Sequence, residues 1–552
     1  MKEQRASSRL VGVLSWVVLL LAVAAGVAPH IPPASPSNSN DADFSVARVI
    51  EHIETIAVEP RPIGTPASQR ARDYISDQLR SLGLEPEFQT TYERNYFSPL
   101  GETIEVVNIL ARIPGSSPTA AVALLGHYDT VPSTLGANDD ASAVAILLES
   151  ARAILAGDPL RNDLILIFTD GEEPAPRFGS SAFVNSHPWF ADIGFVINLE
   201  AIGSGGSSIV VGMNGPTGWM IDQYARAVPY PTAFSFVTAT VELIGGSNTD
   251  FATFRDAGVF GVDLAYMTGS PIYHTMADSP ERVSARSVYQ QGANTLALVR
   301  HIGSLDLSSV QEGSESVFFT VGRFIVVRYL ESWALPIILV AGFMLIVAAW
   351  RERGWLRILR SFGATLAALL LSMAASAGLW ILIGSWRSTM GIFESYVYLA
   401  GFVLLTAGIG TAMVWVTRRR IGTGPDAIGV VLVWWLLGLL TTLTMPGLSA
   451  LFTWPALIGG LLLMLRLPQS AKIPRRHARW TLVCLTTMVV LIPAIDFFYQ
   501  FAQPRPGNLD SQILAAIAIP VMLIALVVEL LRVFRVRTSR LRIIDRPGVG
   551  CR

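Results

Sequence analysis

The sequence predicts an α/β sheet with helices on both faces, joined to an α-helical domain of several membrane spans. Three observations carry this. Through residues 40–310, short apolar runs alternate with helix-length segments, the pattern of strands and helices layered around one sheet. Acids and histidines recur just beyond those runs, and open α/β sheets bind ligands at the carboxyl ends of their strands. Residues 333–533 are mostly long apolar stretches separated by short loops.

The strand candidates are "AVALLG" (121–126), "DLILIFT" (163–169), "FVINLE" (195–200), "SIVVG" (208–212) and "VFGVDLAY" (259–266). Helix candidates lie between them at 140–156, 178–186, 217–226 and 284–303. The Pro- and Ser-rich stretch "PHIPPASPSNSNDA" (29–42) reads as a linker.

The chain has 552 residues, of which 51% are hydrophobic, and a mean hydropathy of +0.47. That is too apolar for an ordinary soluble enzyme of this length. A net charge of -1 offers no basic balance for nucleic acid. The two cysteines, Cys484 and Cys551, lie outside the α/β segment, so it has neither a disulfide framework nor a thiolate zinc site.

Residues 10–28 form an apolar run of bilayer length after Lys2, Arg5 and Arg9, followed by Pro29, a poor residue at a cleavage site. It reads as an uncleaved anchor. About seven further spans are expected, near 333–350, 362–385, 393–416, 427–445, 449–465, 480–498 and 512–532. The loops "RERGWLRILR" (351–360), "TRRRI" (417–421) and "RLPQSAKIPRRHAR" (466–479) are basic, as is the tail beyond Arg532. The alternate loops near 386–392, 446–448 and 499–511 carry few charges. With eight spans every basic loop shares the side of the N-terminus, which the positive-inside rule makes cytoplasmic. The expected organisation is an anchor at 1–30, a linker at 31–44, an extracytoplasmic domain at 45–310, a membrane domain at 333–533 and a basic cytoplasmic tail at 534–552. The spans hold few ionisable groups, with Glu394, Asp496 and Glu529 near their ends, which argues against a proton-relay transporter.

His127 and Asp129 follow the first strand candidate. Asp170, Glu172 and Glu173 follow the second, Glu200 ends the third, and His274 follows the last. Carboxylates gathered with two histidines suit zinc or a similar borderline divalent metal. His127, Asp139, Glu173, Glu200 and His274 are the ligand candidates. Five side chains suffice for two metals if one carboxylate bridges, and a two-metal site can activate water and polarise a carbonyl. The adjacent Glu172–Glu173 pair allows one member to bind metal and the other to serve as general base. Asp140 reads as the cap of helix 140–156. His30, His52, His187, His301 and His477 read as structural or surface residues. "GSGG" (203–206) reads as a turn, since no Lys-Ser/Thr follows.

Five ordered segments, "HYD" (127–129), "GANDDASA" (136–143), "DGEEPAPRFGS" (170–180), "INLEAIGSGG" (197–206) and "YHTMAD" (273–278), resemble the co-catalytic di-zinc aminopeptidase family. That family also contains glutamate carboxypeptidases and glutaminyl cyclases. The resemblance covers residues 45–305 and implies a central mixed, mostly parallel sheet. It implies that His127 and Glu200 hold one zinc ion, Glu173 and His274 the other, and that Asp139 bridges them. Glu172 would be the general base acting on a metal-bridging water. Asp129 would orient His127, and Tyr273 would hydrogen-bond the developing oxyanion. Asp250 and Asp278 match family positions and would shape the pocket.

Two departures, Glu200 where many members have Asp and "GGSNTDFATFRDAG" (245–258) in place of a Ser-Asp-His run, look like the membrane-bound branch. That branch includes endoplasmic reticulum metallopeptidase and vacuolar membrane protease. The compact chain and basic loops fit a bacterial relative in a plasma membrane. The expectation is therefore a membrane-bound zinc exopeptidase, an aminopeptidase first, acting on peptide or protein N-termini. The competing readings are a one-zinc glutaminyl cyclase, an inactive receptor or scaffold domain, and a transport role for the spans.

Overall fold

The computed structural model describes residues 17–18, 20–36, 40–94, 102–173, 177–309, 313–383, 397–421, 423–465, 475–502 and 517–522. Most of the expected anchor, the loop near 386–392, most of the span at 512–532 and the basic tail lie outside them.

Among the described residues the sheet has seven strands: β1 (Glu87–Arg94), β2 (Thr103–Ile113), β3 (Ala121–His127), β4 (Asp163–Thr169), β5 (Ile193–Ala201), β6 (Ile209–Asn214) and β7 (Phe260–Tyr266). Their order is β1-β2-β4-β3-β5-β7-β6. The central four, β4, β3, β5 and β7, are parallel, and antiparallel strands flank them. Every residue of β3 and β4 is buried, as expected for parallel strands covered on both faces.

The side chains alternate between two cores. Val122, Leu124, Leu166 and Ile197 face one, while Ala123, Leu125, Ile165 and Val196 face the other. Over the first face lie α1 (Val46–Ile56), α2 (Pro66–Ser81) and α3 (Ala141–Leu155). Against the second lie α4 (Phe178–Ser186) and, further along the chain, Phe251 and Phe254. Next in order come α5 (Thr217–Ala227), α6 (Ser235–Leu243), α7 (Asp250–Asp256), which carries those phenylalanines, and α8 (Ala285–Gly303), which completes the first face.

Local chemistry explains the helix starts. Thr65 caps α2, whose first residue is Pro66, and Ser284 caps α8 through Ser287 N. Asp140 caps α3 by accepting the Ala143 amide at 3.3 Å. A β-carbon on Gly126 would sit 2.6 Å from Ala143 Cβ, so only glycine lets α3 close down on β3.

The strand candidates match β3 to β7 within two residues at either end, and α4 runs over 178–186 as expected. The polar β1, the strand β2, and helices α1, α2, α6 and α7 were not anticipated. Strand β1 carries alternating polar side chains on an exposed edge and lacks an apolar run to betray it.

A hairpin of β8 (Ser316–Val321) and β9 (Ile325–Leu330) follows the expected domain boundary at 310. It nevertheless packs on the α/β domain. Ser316 N donates to Thr217 Oγ1 at 2.8 Å, Phe319 bridges Phe234, and Arg328 pairs with Asp222 at 2.5 Å.

The C-terminal half contains α9 (Ala334–Glu352), α10 (Trp355–Leu382), α11 (Val397–Ile421), α12 (Thr423–Thr444), α13 (Ala450–Met464) and α14 (Arg475–Ala502). Among the described residues, three helices, Glu331–Glu352, Trp355–Leu382 and Pro425–Thr444, are long and apolar enough to cross a membrane. Shorter apolar helices lie at Leu20–His30, Leu399–Met413, Ala450–Met464 and Thr487–Gln500. Helix α10 begins at Trp355 rather than 362, taking Arg357 and Arg360 into its first turns. Long arginine stems can run along an apolar helix and deliver their charge to the interface.

The α/β domain and these helices share one apolar core. Phe234, Phe236, Val237 and Met267 pack in the same cluster as Ile338, Leu451, Phe497 and Tyr499. Ser235 Oγ donates to the Gly447 carbonyl at 2.7 Å, in the short turn between α12 and α13. His30 pairs with Asp496 of α14 at 3.0 Å and stacks on Phe234.

Candidate metal centre

Each parallel strand delivers one part of the site to the same sheet edge. His127 is the last residue of β3, and Glu172 and Glu173 lie just past β4. Glu200 is the penultimate residue of β5, and His274 lies on the loop after β7. Asp139 comes from the turn before α3. All but His274 are buried, and the His274 side chain is 20% exposed. Gly171, at φ 71, supplies the left-handed turn that aims the two glutamates back over the sheet edge.

The five ligand candidates come together around Asp139. Its Oδ1 lies 3.2 Å from His127 Nε2 and its Oδ2 lies 3.4 Å from His274 Nε2. His127 Nε2 is also 3.9 Å from Glu200 Oε2, and His274 Nε2 is 2.5 Å from Glu173 Oε1. Side-chain donor atoms of His127, Asp139 and Glu173 lie within 4.8 Å of one another, as do those of His127, Asp140 and Glu200. Asp140 thus serves as the α3 cap and also borders the cluster.

Asp129 stands behind His127. Its backbone carbonyl is 3.2 Å from His127 Nδ1 and its carboxylate 3.6 Å. The same carboxylate accepts the amides of Glu172 at 3.2 Å and Glu173 at 3.0 Å, so it ties the histidine strand to the glutamate turn. The Tyr273 ring stacks on His274 with centroids 3.7 Å apart.

The charge balance is unfavourable without a cation. Burial, followed by the neighbouring acids, pushes the Glu172 and Glu200 carboxyls well above their ordinary range. Burial raises Asp140 as well, with Asp139 adding to it. Burial opposes ionisation of Asp139 too, yet the adjacent His127 and His274 imidazoles hold it below the usual carboxylate range. The buried His127 Nε2 and Asp139 Oδ2 have no hydrogen-bond partner among the described residues. Unpartnered lone pairs inside a ring of buried acids and two histidines suit divalent metal, which neutralises the acids and occupies those donors.

Two supports, Arg61 and Tyr266, escaped sequence reasoning, whereas Asp278 was expected to shape the pocket. Arg61 is fully buried, and its guanidinium donates to the carbonyls of Tyr128 (3.0 Å), Leu135 (2.6 Å) and Gly136 (3.0 Å), fixing the loop between His127 and Asp139. Tyr266 donates to Asn138 Oδ1 at 2.9 Å, and Asp278 accepts the amides of Asn138 (2.9 Å) and Asp139 (3.1 Å). The available signal was an arginine between two prolines in "EPRPIG", which a solvated role explains poorly. Asp250 accepts from Thr169 below the sheet edge. His187 stacks on Phe183 and pairs with Glu87, and His301 meets Gln223, away from the cluster.

Residues 108–299 match Peptidase family M28. The chain is 31% identical over 275 residues to the vacuolar membrane protease of Candida dubliniensis, covering 48% of this chain and 29% of that protein. It is 33% identical over 233 residues to endoplasmic reticulum metallopeptidase 1 of Rattus norvegicus, covering 41% and 26%. The matched region thus spans less than a third of each of these two relatives. Among solved structures, the aminopeptidase from Aneurinibacillus sp. strain AM-1 aligns over 49% of this chain and 97% of that one, at 15% identity and a TM-score of 0.40. The glutaminyl cyclase of Fimbriiglobus ruber aligns over 49% and 99%, at 18% identity and 0.40. The segment that brings His127, Asp139, Glu173, Glu200 and His274 together is the one that matches Peptidase family M28.

Proposed function

We propose that this chain is a membrane-bound, zinc-dependent exopeptidase, acting first as an aminopeptidase on peptide or protein N-termini. The observation that carries the reading is Asp139, whose two oxygens face two different histidines, each with its own glutamate. His127 with Glu200 and Glu173 with His274 would hold two zinc ions, with Asp139 shared between them. Such a pair neutralises the buried acids, acidifies water and polarises a peptide carbonyl.

The chain's own groups then divide the work. Glu172 takes a proton onto its carboxylate from the attacking water and returns it to the leaving amine nitrogen. A carboxyl whose pKa burial has raised is suited to carry that proton. Asp129 keeps His127 and the glutamate turn in register. The Tyr273 hydroxyl donates to the carbonyl oxygen as it gains negative charge.

The membrane arrangement follows the same reading. The α/β domain touches the ends of the bundle at Gly447, in a weakly charged loop, and at Gln500, near the C-terminal end of α14. Arg351 and Arg353 lie at the far end of α9. This supports a domain on the extracytoplasmic side with both termini in the cytoplasm.

Metal analysis and a peptide-library digest of the detergent-purified chain test the proposal. Two zinc ions per chain and progressive loss of N-terminal residues are expected. One tightly held zinc with cyclisation of N-terminal glutamine would replace it with the cyclase reading, and no turnover with metal bound would leave a receptor-like domain.

A further inference from the structure

The loop that carries His274 rests on the membrane bundle. After β7 the chain runs through Met267 and Thr268, turns at Gly269 and Ser270, and reaches Tyr273 and His274. His274 sits at φ 58, a left-handed conformation uncommon for a side chain of its size, which persists only where the surroundings impose it. Two sets of contacts do so. On the site side, Ser133 Oγ donates to the His274 carbonyl at 2.9 Å. On the membrane side, the fully buried Ser270 hydroxyl donates to the Gln500 carbonyl of α14 at 3.4 Å.

Phe497, one turn earlier on α14, packs edge-on against Phe236 with centroids 5.7 Å apart. Together with Gln500, Phe497 lines a small cavity closed from the domain side by Met267 and Thr268.

The same ribbon reaches the other half of the centre. Thr268 exchanges backbone hydrogen bonds with Gly205 (3.0 and 2.9 Å) and accepts from Ser204 at 2.9 Å. Those residues lie just beyond Glu200. A shift of α14 would therefore move the backbones of two ligand candidates from different strands. None of the α/β-domain residues in the contact is itself among the proposed ligands or the proposed base, so the bundle acts on the chemistry only through them.

We propose that the Phe497–Gln500 end of α14 is a positioning element of the metal centre, so that the membrane domain is part of the peptidase rather than only its anchor. This rests on the peptidase reading. A metal site needs its ligands held within a fraction of an ångström, and displacements of about 1 Å can cost about 100-fold in rate.

The test uses the full-length chain in detergent, with Ser270→Ala, Ser270→Thr, Phe497→Ala and Phe497→Leu. The readouts are zinc affinity by chelator competition, amide exchange of segment 266–276 in the metal-free protein, and kcat and KM on a peptide. Ser270→Ala and Phe497→Ala are expected to weaken binding of one zinc ion about 10-fold or more, the scale seen when groups supporting metal ligands are lost. They are also expected to speed exchange in 266–276 and to lower kcat with little change in KM. Ser270→Thr and Phe497→Leu, which keep the hydroxyl and the apolar bulk, are expected to recover most of each. A Trp350→Ala variant on the outward, exposed face of α9 controls for general damage to the bundle.

Wild-type zinc affinity and exchange in folded Ser270→Ala and in folded Phe497→Ala would overturn the inference, and if Phe497→Ala does not fold, Ser270→Ala alone decides it. If the wild type cleaves no peptide, the functional reading fails, and the zinc and exchange measurements alone decide the bracing.

Discussion

Asp139 Oδ2 lies 3.4 Å from His274 Nε2, although 135 positions separate the two residues in the sequence. The other oxygen of the same carboxylate faces His127 at 3.2 Å. Replacing Asp139 by Asn keeps the shape and removes the charge. Zinc affinity is expected to fall by more than about 100-fold, beyond the loss caused by removing groups that only support ligands. Chelation of the wild type should lower its melting temperature. Re-added zinc should restore it, by about 4 kcal/mol at a thousandfold excess over Kd. Unchanged metal content in Asp139→Asn would remove the shared carboxylate from the scheme.

Glu172→Gln isolates proton transfer from metal binding. Its kcat should drop by about 100- to 10,000-fold, the usual worth of a general base, while zinc content stays at the wild-type level. Full activity would exclude Glu172 as the base, and loss of zinc would make it a ligand.

Arg61 makes its contacts with carbonyls, so its charge and its fork geometry can be separated. Arg61→Ala leaves the Leu135 and Gly136 carbonyls unpaired beside buried acids. A loss of about 3 kcal/mol is expected, measured by thermal or denaturant unfolding. Arg61→Lys keeps the cation but cannot reach three carbonyls at once, so its stability should fall between the two.

His52 on α1 provides a pH test away from the metal. It meets Tyr74 Oη at 2.7 Å, and burial lowers its pKa below the ordinary value, Glu149 and Glu51 opposing and Arg48 assisting. The unfolded chain therefore binds this proton more readily than the folded one. Stability should rise with pH through the window below about 6.5 and level off above it. His52→Gln should flatten that slope in melting curves between pH 5.5 and 7.5. An unaltered slope would assign it to other groups.

The edge that carries the candidate site was legible because parallel strands concentrate their signals. Each of β3, β4, β5 and β7 is a short run of buried apolar residues, and the polar residues that follow have to share one edge. The supports were less legible. Arg61 acts through backbone carbonyls, which carry no side-chain identity, and Asp278 acts through amides. Strand β1 is paired to β2 along an exposed edge, where polar side chains are neutral to the fold. The docking of α6 on the turn at Pro446–Leu448 depends on Ser235 meeting a carbonyl far along the chain, and no local pattern announces such a pairing.

The contact between Ser270 and Gln500 also sets an order of events. The two residues are 230 positions apart, and a chain made from its N-terminus has completed β7 and the His274 loop long before Gln500 exists. On the proposed topology, the nascent α/β domain would hold every proposed ligand yet lack its membrane-side brace. Maturation of the proposed metal centre would then wait for α14 to insert, a built-in delay that would keep the proposed activity quiet while the chain is still being made.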